Sequence, residues 1–271
     1  MPYLFEHLDT VRETLGCYPF GLITDIDGTI SEIAPSPVEA RVSASCREQL
    51  AALTARLALV AAISGRPAAE ARDMVGVDGI VYMGNHGLER WQDGEVHFVE
   101  EVGTYPAKAA ALRDELASAL SVEGIALENK TVGLSIHYRR SPAPERARQA
   151  ILEALAASPA AKDFKVAEGK MVVELRPRVQ ADKGAAVASL VEDFGLRGGV
   201  YLGDDVTDVD AFSAMHRQGL TGLGVAVVGA ETPTAVQKGA DFTLNGVPDV
   251  ERFLEWLAGA APAPPTARLR P

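Results

Sequence analysis

The stretch from Phe20 to Ile30 constrains the fold more than any other. An apolar run, Phe20-Gly21-Leu22-Ile23, breaks at Thr24-Asp25, and Asp27-Gly28 follows at once. Such a run without polar alternation reads as a strand buried on both faces, as in a parallel sheet. In open α/β sheets, ligands collect just beyond the carboxyl ends of the strands, so Asp25 and Asp27 are placed for chemistry. With one residue between them, the two side chains are expected on the same face while the strand persists. Converging carboxylates repel each other, and a bound hard cation relieves the repulsion. Taken alone, the stretch also fits a solvated Asp-Gly turn.

The same grammar recurs along the chain. A short helix on Leu4, Leu8, Val11 and Leu15 is expected before Phe20, and a loop holding Pro35 and Pro37 after Thr29. Ser45-Cys46-Arg47-Glu48 fits a capping box for a helix carrying Leu50, Leu53 and Leu57. Strands are expected at Leu59 to Ile63 and Ile80 to Met83, ending in Ser64-Gly65-Arg66-Pro67 and Gly84-Asn85-His86-Gly87. Leu88 to Trp91 should pair with Glu95 to Val99 across Asp93-Gly94. From about residue 102 the rhythm changes to helix-strand-strand, twice over: helices at 106–120 and 144–157, strands at 125–128, 132–138, 164–167 and 171–175. Alternating βα units resume with a helix from Lys183 to Phe194, strands at 199–202 and 225–228, and a helix at 248–257. The expectation is a discontinuous core, 1–101 with 179–271, carrying an inserted α/β module at 102–178 and a disordered tail over 260–271.

A chain of 271 residues, 47% hydrophobic and 23% charged, has ample material for a buried core. A net charge of −11 argues against nucleic acid or an anionic membrane as partner. An anionic substrate would then need local positive charge from a metal or a few Lys and Arg. Cys17 and Cys46 lack metal-ligand spacing and fit reduced thiols in the cytoplasm. Neither a secretion signal nor a membrane span is expected.

Three strands end in polar clusters: Asp25 with Asp27, Ser64, and Asp204 with Asp205 and Asp208. Lys183 opens a helix between the second and third. If the strands are parallel, these groups meet along one sheet edge and amount to a phosphoryl-transfer site. A carboxylate can serve as nucleophile and form an aspartyl-phosphate. Magnesium favours one or two carboxylates with phosphate and water, which Asp25 and Asp204 could provide. Ser64 and Lys183 would hold the remaining phosphate oxygens.

Asp25-Ile26-Asp27-Gly28-Thr29, Ser64-Gly65-Arg66, Lys183-Gly184 and Gly203-Asp204-Asp205-Val206-Thr207-Asp208 resemble the four motifs of the haloacid dehalogenase (HAD) superfamily of phosphatases. Gly84-Asn85-His86-Gly87, Glu128-Asn129-Lys130, His137-Tyr138-Arg139 and Glu174-Leu175-Arg176-Pro177 narrow the resemblance to the trehalose-6-phosphate phosphatase family. The resemblance implies an α/β fold: a Rossmann-like HAD core, a parallel sheet with helices on both faces, and an inserted α/β cap of C2 type. It implies that Asp25 attacks phosphorus while Asp27 acts as acid and then base. It further implies magnesium held by the Asp25 carboxylate, the Asp27 carbonyl and Asp204, with Asp208 acting through water or by positioning Lys183. Asp205 reads either as part of that network or as a helix-start acid. Sugar contacts would come from Arg66, His86, Glu128, Lys130, His137, Arg139, Glu168, Lys170 and Glu174. His86 also reads as a core histidine, and Arg139 and Lys170 as a solvated strand face. Val209 stands where the family commonly carries an acid.

The implied activity is magnesium-dependent hydrolysis of trehalose 6-phosphate in trehalose biosynthesis, coupled in function to a trehalose-6-phosphate synthase. The cap is expected to close over the sugar about hinges near residues 102–103 and 177–178. Related phosphatases acting on sucrose phosphate or mannosylglycerate phosphate share the core motifs. A signalling receiver domain also clusters acids with a Lys, but would be about half this length and needs no acid at position 27.

Overall fold

The computed structural model describes every residue except 35–37, 93, 170, 180, 181, 231 and 263–271, and the side chain of Glu101 is also outside it. Pro35, Pro37, Asp93, Lys170 and the tail beyond residue 262 therefore lie outside the described residues. The chain begins with α1 (Leu8–Leu15), β1 (Phe20–Thr24), α2 (Ala44–Thr54), β2 (Leu59–Ile63), α3 (Ala68–Val75), β3 (Val81–Gly84), β4 (Glu89–Gln92) and β5 (Glu95–Phe98). There follow α4 (Tyr105–Ala119), β6 (Ala126–Asn129), β7 (Leu134–His137), α5 (Pro144–Ala157), β8 (Phe164–Gly169) and β9 (Val172–Pro177). Last come α6 (Lys183–Asp193), β10 (Gly198–Gly203), α7 (Asp208–Met215), β11 (Thr221–Val228), α8 (Thr234–Gly239), β12 (Phe242–Asn245) and α9 (Gly246–Ala260). Two compact units result: Met1–His97 with Ala181–Pro271, and Phe98–Gln180.

In the first unit the sheet runs β12-β11-β10-β1-β2-β3-β4-β5, parallel from β12 to β3 and antiparallel from β3 to β4. Side chains alternate between two apolar layers, as a pleat of period two requires. Leu22, Val60, Val200 and Val225 face one layer with α1, α2, α3 and α9, through Val11, Leu50, Ala71 and Phe253. Ile23, Ala61, Tyr201 and Ala226 face the other, with α6, α7 and α8, through Val187, Phe212 and Val236. Helices on both faces are what make the continuous apolar strands possible. Val209 lies against this second layer, so the position expected to be acidic is partly apolar contact here.

The second unit is a four-stranded antiparallel sheet, β6-β7-β9-β8. Leu134, Ile136, Val173 and Leu175 are buried, as are Leu112 and Leu116 of α4 and Ile151 and Leu155 of α5. The alternate residues Glu128, Ser135 and Glu174 form one transverse row, Glu128 opposite Ser135 and Ser135 opposite Glu174.

Several local expectations need correcting. The cap of α2 is Ser43, whose hydroxyl accepts from the Cys46 N–H at 3.1 Å, so Ser45 belongs to the first turn. Leu57 falls beyond the end of that helix. α7, α8 and β12 have no counterpart among the expected elements, being eight, six and four residues long and too short to show a clear period. The strand β1 stops at Thr24, before either acid.

Candidate active site

The sheet topology brings the sequence clusters together. The chain passes from β1 to β2 on one side and returns to β10 on the other, so the strand order reverses around β1, the geometry that opens a crevice at carboxyl ends. Asp25 follows β1 immediately, and its N–H still donates to the Leu202 carbonyl of β10 at 2.8 Å. The chain then turns: the Ile26 carbonyl accepts from the N–H groups of Thr29, Ile30 and Ser31. That turn, rather than a persisting strand, sets where Asp27 goes, and its carboxylate diverges to Arg66. Arg66 Nε donates to Asp27 Oδ2 at 2.7 Å and Nη2 to Oδ1 at 2.6 Å, a bidentate pair.

Asp182 N-caps α6, accepting from the Ala185 N–H at 2.8 Å, which makes Lys183 the first helical residue. Lys183 Nζ donates to Asp25 Oδ1 and to Asp208 Oδ1, each at 2.7 Å. All three groups are buried. Asp208 opens α7 and takes four donors: Lys183 and the Tyr201 hydroxyl (2.6 Å) on Oδ1, and the N–H groups of Asp204 and Asp205 (3.0 and 2.9 Å) on Oδ2. So supplied, Asp208 anchors Lys183 and the 204–205 turn. Tyr201 reads in sequence as one more apolar strand residue, and nothing in the run Gly199-Val200-Tyr201-Leu202 flags its hydroxyl. Asp205 is exposed and accepts from the Thr207 hydroxyl at 3.4 Å.

Carboxylate oxygens of Asp25, Asp204 and Asp208 lie within 4.8 Å of one another. Burial pushes the Asp25 carboxyl well above the usual range; Lys183 opposes this, while Asp208 and Asp204 add to it. Burial and then Asp208 lift Asp204 to about 6. Lys183 stays charged, because the two carboxylates outweigh the burial that opposes its ammonium. With all three ionised, three carboxylates around one ammonium leave two negative charges in excess, the charge of one divalent cation, and a cation bound there would favour that ionised state. The donor set is all oxygen, as a hard cation requires. With Asp208 committed to its four donors, Asp25 and Asp204 are the carboxylates suited to hold a metal. Gly28 makes room for this arrangement: at φ +90°, a Cβ there would lie 2.1 Å from Asp204 Oδ2. Thr29 donates its hydroxyl to the other Asp204 oxygen at 3.3 Å.

Ser64, at the end of β2, is buried and accepts the Arg66 N–H on its hydroxyl at 3.1 Å. His86 is half-buried in a left-handed conformation, φ 60°, with its ring 3.0 Å from where a Gly65 Cβ would stand.

The sugar-contact expectations divide. In the second unit, His137 Nε2 and Lys130 Nζ both meet the Glu128 carboxylate, at 2.7 and 2.6 Å. Burial opposes that carboxylate's charge, and the bonds from His137 and Lys130 more than offset it, drawing the group to about 2. Glu174 takes the Arg176 Nε at 2.9 Å. Arg139 is exposed just past β7. Glu168 does not join this set. It pairs across β8–β9 with Val173, on the apolar side of the sheet, and is held by Arg148 of α5 at 2.6 and 2.9 Å. One step of pleat separates it from Ala167, which does share the row of Glu128 and Glu174.

Solved structures share this architecture. A haloacid dehalogenase-like hydrolase from Bacteroides thetaiotaomicron matches with a TM-score of 0.62 and 15% identity, over 88% of this chain and 98% of that one. The C-terminal domain of C. albicans trehalose-6-phosphate phosphatase matches with a TM-score of 0.72 and 24% identity, over 95% and 98%. The fold is thus that of the HAD-like hydrolases with a cap. The sequence model of the trehalose-phosphatase family matches residues 23–247. The trehalose-phosphate phosphatase of Mycolicibacterium paratuberculosis is 38% identical over 216 residues, covering 75% of this chain and 53% of that protein. This chain belongs to the trehalose-phosphatase family, and it spans about half the length of the curated relatives it matches.

Proposed function

We propose that the chain is a magnesium-dependent phosphatase that hydrolyses trehalose 6-phosphate to trehalose and phosphate through a phosphorylated Asp25. One observation carries this reading: Lys183 bridges Asp25 and Asp208 beside Asp204, in a buried site at the carboxyl edge of the sheet. Family membership supplies the sugar.

The chemistry follows from the groups present. Lys183 fixes the Asp25 carboxylate by one oxygen, so the nucleophile is oriented before substrate arrives. An Asp25 oxygen forms the bond to phosphorus as the bond from phosphorus to the sugar oxygen breaks. Asp27 gives that sugar oxygen its proton. Water then attacks phosphorus, Asp27 takes the water's proton, and the Asp25–phosphorus bond breaks to release phosphate. Ser64 and Lys183 hold non-bridging phosphate oxygens. A cation held by Asp25, Asp204 and the Asp27 carbonyl would neutralise phosphate charge. Both Asp27 oxygens accept from Arg66, so one of these bonds must be given up as Asp27 takes from solvent the proton it then donates, and the other keeps the carboxyl oriented.

Glu128, Lys130, His137, Arg139 and Glu174, with Lys170, are assigned to recognition of sugar hydroxyls. A site built to bond a hydroxyl rejects analogues lacking it far more strongly than an apolar pocket does. Cytoplasmic placement and functional coupling to a synthase that makes the substrate belong to the same proposal. No described helix is long and apolar enough to cross a membrane.

Phosphate release from a panel of sugar phosphates, with and without magnesium, tests this directly. Trehalose 6-phosphate should be preferred over sucrose phosphate and mannosylglycerate phosphate. Equal turnover of all three would remove the substrate assignment, and turnover indifferent to chelators would remove the metal.

A further inference from the structure

One buried acid in the first unit takes no part in that chemistry. Glu89, the first residue of β4, is 2% exposed. Its Oε1 accepts the Ala68 N–H at 2.5 Å, and Asn85 hydrogen-bonds the same carboxylate. Ala68 opens α3, whose N-cap, Pro67, offers no side-chain acceptor. Glu89 therefore caps α3 from another strand, satisfying a donor that the helix cannot satisfy itself.

The helix it caps is the one the site loop runs into. Residues 64–68 are tied to the turn after β3 and to the start of β4 at three points. The Asn85 N–H donates to the Arg66 carbonyl and the His86 N–H to the Ser64 carbonyl, each at 2.9 Å, and Glu89 closes the third bond at Ala68. Asn85 and His86 hold left-handed conformations, φ 49° and 60°, to make these contacts. The joint is tight. A Cβ on Gly84 would lie 2.1 Å from the Ala68 nitrogen and 2.6 Å from Glu89 Oε1. Burial raises the Glu89 carboxyl to about 7, opposed by the bond from Ala68 and that from Asn85, and reinforced by Glu70. Burial of this carboxyl is costly, and the bonds from Ala68 and Asn85 are what offset it.

We infer that Glu89 is a positioning residue for the acid-base step: by fixing Ala68 and Asn85 it sets the Arg66 backbone, and through the Arg66 guanidinium the orientation of Asp27. The inference rests on the phosphatase reading above. It makes Glu89 act on one half of the chemistry in particular. Expulsion of a sugar alkoxide needs the Asp27 proton. Expulsion of p-nitrophenolate, a good leaving group, does not.

The experiment is a first-turnover comparison of Glu89→Leu and Glu89→Gln on trehalose 6-phosphate and p-nitrophenyl phosphate, with magnesium. For Glu89→Leu, sugar release in the first turnover should fall by about 10- to 100-fold, the range expected for ångström-scale misplacement, while the p-nitrophenol burst stays within about threefold. Glu89→Gln keeps an acceptor for Ala68 and should restore sugar release to within about threefold of the unaltered chain. Combining Glu89→Leu with Arg66→Ala should be no worse than Arg66→Ala alone, since both act along one route. If Glu89→Leu does not fold, Asn85→Gly replaces it. Glycine keeps the left-handed backbone and deletes only the side chain that holds Glu89, and the same selective loss on the sugar substrate is expected. An equal loss on both substrates, additive effects with Arg66→Ala, or no loss at all would overturn the inference. An unaltered chain with no sugar-phosphate turnover would instead overturn the phosphatase reading.

Discussion

Two charged clusters, one in each unit, have nearly the same contact distances and opposite characters: a lysine bridges two acids in the first, and an acid bridges a lysine and a histidine in the second. Lys183 meets Asp25 and Asp208 at 2.7 Å with side chains 3%, 7% and 0% exposed. Glu128 meets Lys130 and His137 at 2.6 and 2.7 Å with side chains 30%, 20% and 41% exposed. Distance does not distinguish them; water does. In the buried cluster every charge has been stripped of solvent, so each group is obligatory to the others and geometry is fixed before a ligand arrives. In the half-exposed cluster water can replace any partner, so one residue can change at small cost to the fold. The first suits a reaction that must always be the same. The second suits recognition that differs among relatives sharing the reaction.

The contrast can be broken in four places. Asp25→Asn should lower kcat by roughly 10⁴-fold or more, with no phosphoenzyme trapped on acid quench. Glu128→Gln should raise KM for trehalose 6-phosphate by about tenfold and leave kcat for p-nitrophenyl phosphate unchanged. Comparable kcat losses in both variants would erase the distinction. Lys183→Met strands two buried carboxylates and should cost about 3–5 kcal/mol in urea unfolding. Lys130→Met should cost less than about 1 kcal/mol. Chelation should abolish turnover, magnesium should restore it, and magnesium should raise Tm in the unaltered chain and in Glu128→Gln but not in Asp204→Asn. The smallest effect concerns acid. Glu128 is drawn from 4.5 to about 2 by its partners, so its pairing stabilises the fold above pH 4.5 and is lost as pH falls towards 2. The stability difference between the unaltered chain and Glu128→Gln, under about 1 kcal/mol after solvent screening, should vanish across that window. A difference that persists to pH 2 would mean the carboxylate matters for shape rather than charge.

How much of this could be read in the sequence depended on what each residue does with its neighbours. The strands β1, β2 and β10 were legible because continuous apolar runs ending in Gly, Ser or Asp have few other uses. Asp25, Lys183, Asp204 and Asp208 announced themselves as charges at strand and helix ends. α7 did not, because its first turn is made of the same acids that form the motif, and the chemistry masked the helix. The end of β1 is hidden in the sequence for a related reason. Carboxylates at 25 and 27 look like an alternating pair, but the Ile26 carbonyl collects three N–H groups and the chain leaves the strand. Glu168 reads in sequence with the sugar contacts, but its strand parity puts it against Arg148; the expected strand stops at 167 while β8 runs on to Gly169, so that parity is hidden. Glu89 carried a faint signal: an acid that opens a strand, directly after the Gly-Asn-His-Gly turn. Without Ala68 opposite, nothing marks it as buried.

Gly28 has a consequence for how this chain can vary. With Asp204 Oδ2 standing where its first side-chain carbon would go, the position tolerates no substituent of any size or polarity. Randomising that codon and selecting for phosphate release should return glycine alone, whatever diversity is recovered at Asn129 or Arg140. A tolerance this narrow thus belongs to an atom that is not there.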